Sequence, residues 1–252
     1  MSKKKNVRVG ECRICGEHGR LTFEHVPNRA AYNKATVIEY SCEDMLLQRK
    51  AARKKVAQGG AGEYTLCERC NNNTGHWYGD EYSKWVRACF DFLATCQASG
   101  SVPAEAAVTL HSVYPLRFIK QVVVCFFSVA PGLRHTHPQL VRYVLEKEEN
   151  RLSAGCRFFL NFYHGPNPKL RRWPIAGKIT VAYGTGRLIP LSGSVLSEIT
   201  HPPFALTMAD EMGFDGAGEI TGFTRYEYDQ ADNVTLKLRV IRGDSLLPGS
   251  FQ

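Results

Sequence analysis

The sequence predicts an α+β protein: a small zinc-stabilised unit followed by a larger α+β domain with a mainly antiparallel sheet. Two Cys-x-x-Cys pairs, Cys12/Cys15 and Cys67/Cys70, offer four soft sulfurs at the spacing that a tetrahedral zinc accepts. The stretch Ala98-Ser99-Gly100-Ser101-Val102-Pro103 has the composition of a linker. Beyond it, two helical stretches precede a series of short strands, an order that suits an α+β domain. The chain therefore divides into a basic tail over 1–9, a small unit over 10–98 and a C-terminal domain over 103–252. The small unit carries an insert at about 29–62 and a trailing helix.

Each element has a local reason. Cys12 to Cys15 forms the first knuckle, and Arg20 to Phe23 leads as a short strand into Glu24 and His25, where Pro27 turns the chain. Inside the insert, Ser41 is placed to cap a helix from about Glu43 to Ala57, with Met45, Leu46, Ala52 and Val56 as a sparse apolar side. Tyr64-Thr65-Leu66 reads as a second strand, and a helix opens at Cys70-Asn71. From Asp80 to Gln97, the residues Tyr82, Trp85, Val86, Cys89, Phe90 and Leu93 recur at helical spacing, which makes them core. Helices are expected from Pro115 to Ala130 and from Pro138 to about Asn150. Strands are expected over Arg157–Tyr163, Lys178–Tyr183, Arg187–Pro190, Phe204–Met208, Gly218–Tyr228 and Val234–Ile241, which are rich in Phe, Tyr, Val, Thr and Ile.

With 252 residues, 44% hydrophobic and 22% charged, the composition is that of a globular protein able to bury a core. The apolar stretch Val122–Val129 is too short to span a bilayer, so no membrane partner is expected. Met1 to Lys5 is basic with no apolar run after it, unlike a signal peptide. Nine cysteines, an odd number with two metal-like pairs, fit a reducing cytoplasm better than a disulfide framework. The net charge is +8, and residues 1–76 hold fourteen Lys or Arg against eight Asp or Glu. The surplus thus sits mostly on the cysteine-bearing segment, as a polyanionic partner would require.

Two features exceed what a structural zinc needs. Glu24-His25 stands between the knuckles, and Asn71-Asn72-Asn73 follows the second one directly. A second metal, bound through oxygen, would use such residues. The order Cys-x-x-Cys, Glu-His-Val-Pro, Cys-x-x-Cys-Asn resembles the zinc-containing branch of the HNH (His-Asn-His, ββα-metal) nucleases over about residues 10–78. The resemblance implies a structural zinc on Cys12, Cys15, Cys67 and Cys70. It also implies a catalytic Mg²⁺ or Mn²⁺ on Glu24 and Asn71, and His25 as the general base that deprotonates the attacking water. His76 is a looser candidate for the residue one helical turn after the helix-starting ligand. Where the family often has a structural Asn five residues before the third zinc cysteine, this chain has Gly62, which bears on how the His25 loop is held. Roles in phage defence or mobile elements come with the resemblance alone.

The chemistry has a physical basis. A neutral imidazole near its ordinary pKa can accept a proton from water, and one hard cation with open positions can neutralise a phosphorane. Arg49, Lys50, Arg53, Lys54 and Lys55 make the insert a candidate phosphate-tracking arm, or only a solvated face. The expected partner is nucleic acid, duplex DNA before RNA, with the C-terminal domain free for a protein partner or a second copy. The alternative is a zinc-stabilised nucleic-acid-binding module without catalysis.

Overall fold

The computed structural model describes residues 7–40, 54–100, 102–152, 155–163, 195–209 and 218–241. It is a mixed α+β fold with a mainly antiparallel sheet. The N-terminal part holds a three-stranded antiparallel sheet in the order β1 (Arg8–Glu11), β2 (His18–His25), β5 (Gly62–Cys67). β1 thus begins inside the segment expected to be a tail. Pairing it with β2, Arg8 opposite Leu21 and Glu11 opposite His18, closes the first knuckle.

The insert differs from the helix expected there. Lys54–Ala57 is a strand, β4, antiparallel to β3 (Val37–Tyr40), with Ile38 opposite Val56. The sequence places Val37, Ile38 and Tyr40 in the first stretch and Val56 in the second, residue types that strand pairing suits better than a helix does. Lys54 and Lys55 therefore sit on a strand, whereas Arg49, Lys50 and Arg53 lie outside the described residues.

After β5 the chain turns directly into one unbroken helical run. It comprises α1 (Glu68–Thr74), a π-helical segment (Gly75–Gly79) and α2 (Asp80–Ala98), with helical dihedrals maintained at both junctions. The run opens two residues before Cys70. Gly100, in the left-handed region at φ 78°, marks its end in the expected linker. Tyr82, Trp85, Val86, Cys89 and Leu93 are buried as the helical spacing requires, while Phe90 is partly exposed beside Tyr32, ring centroids 4.8 Å apart.

Helix α3 (Pro115–Val129) starts with proline in its first turn, and every residue except Arg117 is buried. A helix buried on all sides has to be central. Phe118 stacks on Trp85 at 4.1 Å and on Tyr82 at 5.4 Å, so one core runs through α2 and α3 across the linker sequence. Glu81, also buried, accepts hydrogen bonds from Trp85 Nε1 at 2.7 Å and from the Tyr114 backbone at 2.9 Å, which fixes the start of α3. A short turn, α4 (Leu133–Thr136), leads to α5 (Gln139–Leu145), which ends earlier than the sequence suggested. Lys120 explains the early end: its buried ammonium donates to the carbonyls of Tyr143 at 2.6 Å and Glu146 at 2.7 Å, satisfying that terminus.

The five-stranded sheet has the order β6 (Glu105–Val113), β10 (Asp232–Ile241), β7 (Arg157–Tyr163), β9 (Phe204–Ala209), β8 (Val195–His201). Its pairings are antiparallel except β10 with β7. β6 and β8 were not expected, although the burial of Ala106, Val108 and Leu110 in β6 follows the period of two. Residues 218–228, expected as a strand, make only an isolated bridge from Glu219 to Phe159 before a 3₁₀ turn over Thr221–Arg225. Thr221 Oγ1 accepts the Phe158 N–H at 2.9 Å, and Thr224 Oγ1 donates back to the Thr221 carbonyl at 2.8 Å, which bends the chain off the sheet. The strands expected at 178–183 and 187–190 lie outside the described residues. Among the described residues, no helix is long and apolar enough to cross a membrane.

Candidate metal centre and adjoining cleft

The first knuckle is a tight turn between β1 and β2. The Gly16 N–H bonds the Cys12 carbonyl and the Cys12 N–H bonds the Glu17 carbonyl, both at 2.9 Å. Gly16 is left-handed at φ 79°, a conformation that calls for glycine, and the Arg134 guanidinium packs over its open face. Cys67 ends β5 and caps α1, and Cys70 lies in the first helical turn. The four sulfurs lie within 4.8 Å of one another, with Cys15 and Cys67 Sγ 3.8 Å apart. Zinc–sulfur bonds of about 2.3 Å at tetrahedral angles separate sulfurs by roughly 3.8 Å, so the cluster fits a metal such as zinc. It is far too wide for a disulfide, whose sulfurs lie about 2.05 Å apart.

Thiols this close cannot all ionise without a cation between them. The hydrogen bond from Cys70 holds the Cys12 thiol down to about 4, while the same bond and burial push Cys70 up. Arg13, inside the knuckle, reaches the Ser128 carbonyl at the end of α3 and pairs with Glu63 at 3.2 Å. The cluster is thereby tied to the central helix.

Directly beside it, Glu24, His25 and Asn71 line one cleft of about 290 Å³. Asn28, Arg29, Asp80 and Gln121 complete much of its wall. His76, exposed on the π-helical segment, is not among the lining residues. A wider depression of about 510 Å³ on the other side of α1 is lined by Glu17, Arg20, Glu68 and Arg69, mixed charges with an Arg69–Glu17 ion pair and no reactive grouping.

Glu24 is 9% exposed, and burial pushes its carboxyl up to about 7. A buried acid of this kind is neutral at moderate pH unless a cation compensates its charge. Burial also lowers the pKa of His25, the Gly59 carbonyl opposes the shift, and the charge of Arg29 lowers it further. The ring is therefore neutral at pH 7. Its Nε2 lies 3.3 Å from the Gly59 carbonyl, an arrangement that places the proton on Nε2 and leaves a lone pair on Nδ1. Asn71 donates through Nδ2 to Thr22 Oγ1 at 2.9 Å, and Thr22 donates on to the Leu66 carbonyl at 2.9 Å. The amide is thereby oriented with Oδ1 as its remaining acceptor end.

The His25 loop is braced by residues that sequence reasoning missed. Asn33, 1% exposed, donates to the carbonyls of Pro27 at 2.6 Å and Ala61 at 2.8 Å, and accepts the Ala61 N–H at 2.7 Å. Asn28 donates to the Gly79 carbonyl at 2.8 Å and accepts from Ser83 at 3.2 Å, tying the loop to the π-helical junction. Gly62 has its own reason: a Cβ there would collide with the Glu24 carbonyl. Asparagine is thus excluded at 62, and Asn33 braces the loop from within the insert.

Gln121 was missed as well. Its signal was a polar Lys120-Gln121 pair breaking an otherwise apolar helix. Compared with protein-family models, with curated proteins and with solved structures, the chain finds no match.

Proposed function

We propose that the protein is a metal-dependent endonuclease of HNH type that hydrolyses phosphodiester bonds in nucleic acid, with DNA as the favoured substrate. The observation that carries the reading is the convergence of Glu24, His25 and Asn71 in one cleft, next to a four-cysteine cluster on the same strand–helix junction. The donors suit a hard divalent cation of the Mg²⁺ or Mn²⁺ class: a carboxylate from Glu24 and an amide oxygen from Asn71, with room for water. When bound, such a cation would neutralise charge on the phosphate and on the leaving oxygen.

The chain's own residues supply the rest. His25 accepts a proton from water at Nδ1, the Gly59 carbonyl holds the ring's orientation, and its lowered pKa keeps it unprotonated at pH 7. Arg29 places a fixed positive charge in the cleft wall, where a phosphate oxygen would lie. The positive net charge favours a polyanion at the surface, with the basic insert as the candidate arm. The C-terminal domain would then serve targeting, sensing or oligomerisation.

The test is plasmid nicking with Mg²⁺ or Mn²⁺ against EDTA, with wild type beside His25→Ala. Removing a general base should slow nicking by about 10²–10⁴, leaving zinc content and DNA binding unchanged. Nicking by the variant at the wild-type rate rules out the mechanism. Metal-independent DNA binding without any nicking favours a binding module instead.

A further inference from the structure

Helix α3 carries two polar side chains buried side by side, and the fold accounts for only one. Lys120 is fully buried and donates to the carbonyls of Tyr143 and Glu146, where α5 ends. Gln121 is 1% exposed and lines the cleft that holds Glu24, His25 and Asn71. Its Nε2 makes only a long contact, 3.9 Å, to Cys125 Sγ, and its Oε1 has no hydrogen-bond partner among the described residues. Exchanging the two ends of the amide leaves the same shortage. An unpaired buried polar group is costly, and among the described residues that carry one, Thr65, Gln121, Ser128, Tyr143 and Ser197, Gln121 alone lines the cleft.

Its surroundings indicate the missing partner. Glu24 lines the same cleft as Gln121, so its carboxyl and the Gln121 side chain face one space. A buried carboxylate and an orphaned amide oxygen, with the Asn71 amide across the cleft, form a set of oxygen donors. Hard divalent cations take such donors, neutral amide oxygens included.

We infer that Gln121 belongs to the cation site, its side-chain oxygen serving beside Glu24 and Asn71 for a divalent cation of the Mg²⁺ or Mn²⁺ class. The inference rests on the cleft being a cation site, as proposed above, and adds a ligand from outside the segment that carries the motif. The central helix then forms one wall of the site as well as the core of the fold.

Mn²⁺ titration of the full-length protein, followed by the paramagnetic resonance of free Mn²⁺, tests this without reference to cleavage. Gln121→Leu, close in size and apolar, should bind Mn²⁺ on the order of 10-fold or more weakly with zinc content unchanged. Gln121→Glu adds charge and should bind it more tightly. If the zinc-loaded Leu variant binds Mn²⁺ like wild type while Glu24→Gln binds it weakly, Gln121 is not a ligand and the cation site still stands. If wild type binds no Mn²⁺, or Glu24→Gln has no effect, the cation reading itself fails and this inference with it. Should the Leu variant not fold, an unchanged Mn²⁺ affinity in Gln121→Glu overturns the proposal.

Discussion

The cysteine cluster and the oxygen-lined cleft are built from consecutive residues and differ in most physical respects. Cys70 turns into a closed set of four sulfurs that could hold a metal such as zinc. Asn71, one residue on and about 100° further round the helix, turns into a cleft lined by carboxylate, imidazole and amide groups. A filled tetrahedral sulfur set leaves no position for water or substrate, which suits it to holding structure. An open oxygen-lined cleft is poorly suited to that and well suited to chemistry. Helical phase alone thus points the neighbouring residues Cys70 and Asn71 at two different environments within one turn.

The strongest way to break this division is at the sulfurs. Zinc-finger-like sites supply roughly 10–16 kcal/mol of apparent binding energy, so Cys67→Ser should lose the metal and unfold the N-terminal sheet. Metal analysis together with thermal unfolding checks this, and a zinc-free variant of undiminished stability would remove the structural role.

The loaded cluster and the Mn²⁺-free Glu24 carboxyl should contribute to stability with opposite pH dependence. Protons compete with metal for thiolates, so the cluster weakens as pH falls. Glu24 behaves the other way. It keeps its proton up to about pH 7 in the fold, against about 4.5 in the unfolded chain, so between those values the folded state binds more protons. With the cysteine cluster loaded and no Mn²⁺ present, stability therefore falls as pH rises from about 4.5 to about 7 and levels off above, a loss of about 3 kcal/mol at 1.36 kcal/mol per pKa unit. Glu24→Gln should flatten that slope in denaturant titrations at stepped pH, and saturating Mn²⁺ should oppose it by compensating the carboxylate.

A smaller effect is expected at Asn33. Alanine there strands the Pro27 carbonyl and the Ala61 N–H, while the Ala61 carbonyl keeps the Val26 N–H at 3.0 Å, and should cost about 1–3 kcal/mol of unfolding free energy in denaturant titrations. Nicking should slow because His25 loses its brace, with zinc content retained. A parallel loss of zinc would show that the two sites are not independent.

The sulfur set was legible in the sequence because a metal knuckle is a local device whose spacing is written in four residues. Glu24, His25 and Asn71 could be singled out for a similar reason, each being adjacent to a cysteine or to another candidate. Asn33 and Gln121 reach the cleft only through tertiary packing, so spacing could not reveal them. Gln121 did leave a trace, since a polar pair inside an apolar helix needs partners. The end of the insert, Lys54–Ala57, was misread because a candidate cap at Ser41 and a sparse apolar side suggested a helix, whereas this stretch pairs as a strand with Val37–Tyr40. Residues 43–53 of the expected helix lie outside the described residues. Residues 218–228 were misread because side-chain hydrogen bonds from Thr221 and Thr224 overrode strand propensity. β6, with its alternating pattern, was open to reading and was passed over.

The unbroken run from Glu68 to Ala98 bears on how such a site could be shared between proteins. One end carries Cys70 and Asn71, the other carries Trp85 into the aromatic stack with Phe118 of the central helix. Residues 10–98 alone would expose the Trp85 and Tyr82 faces to water and lose the wall that Gln121 supplies. The motif is therefore not a transplantable cassette in this chain. Grafted onto another protein, it would carry its sulfurs and its histidine and leave part of its cleft behind.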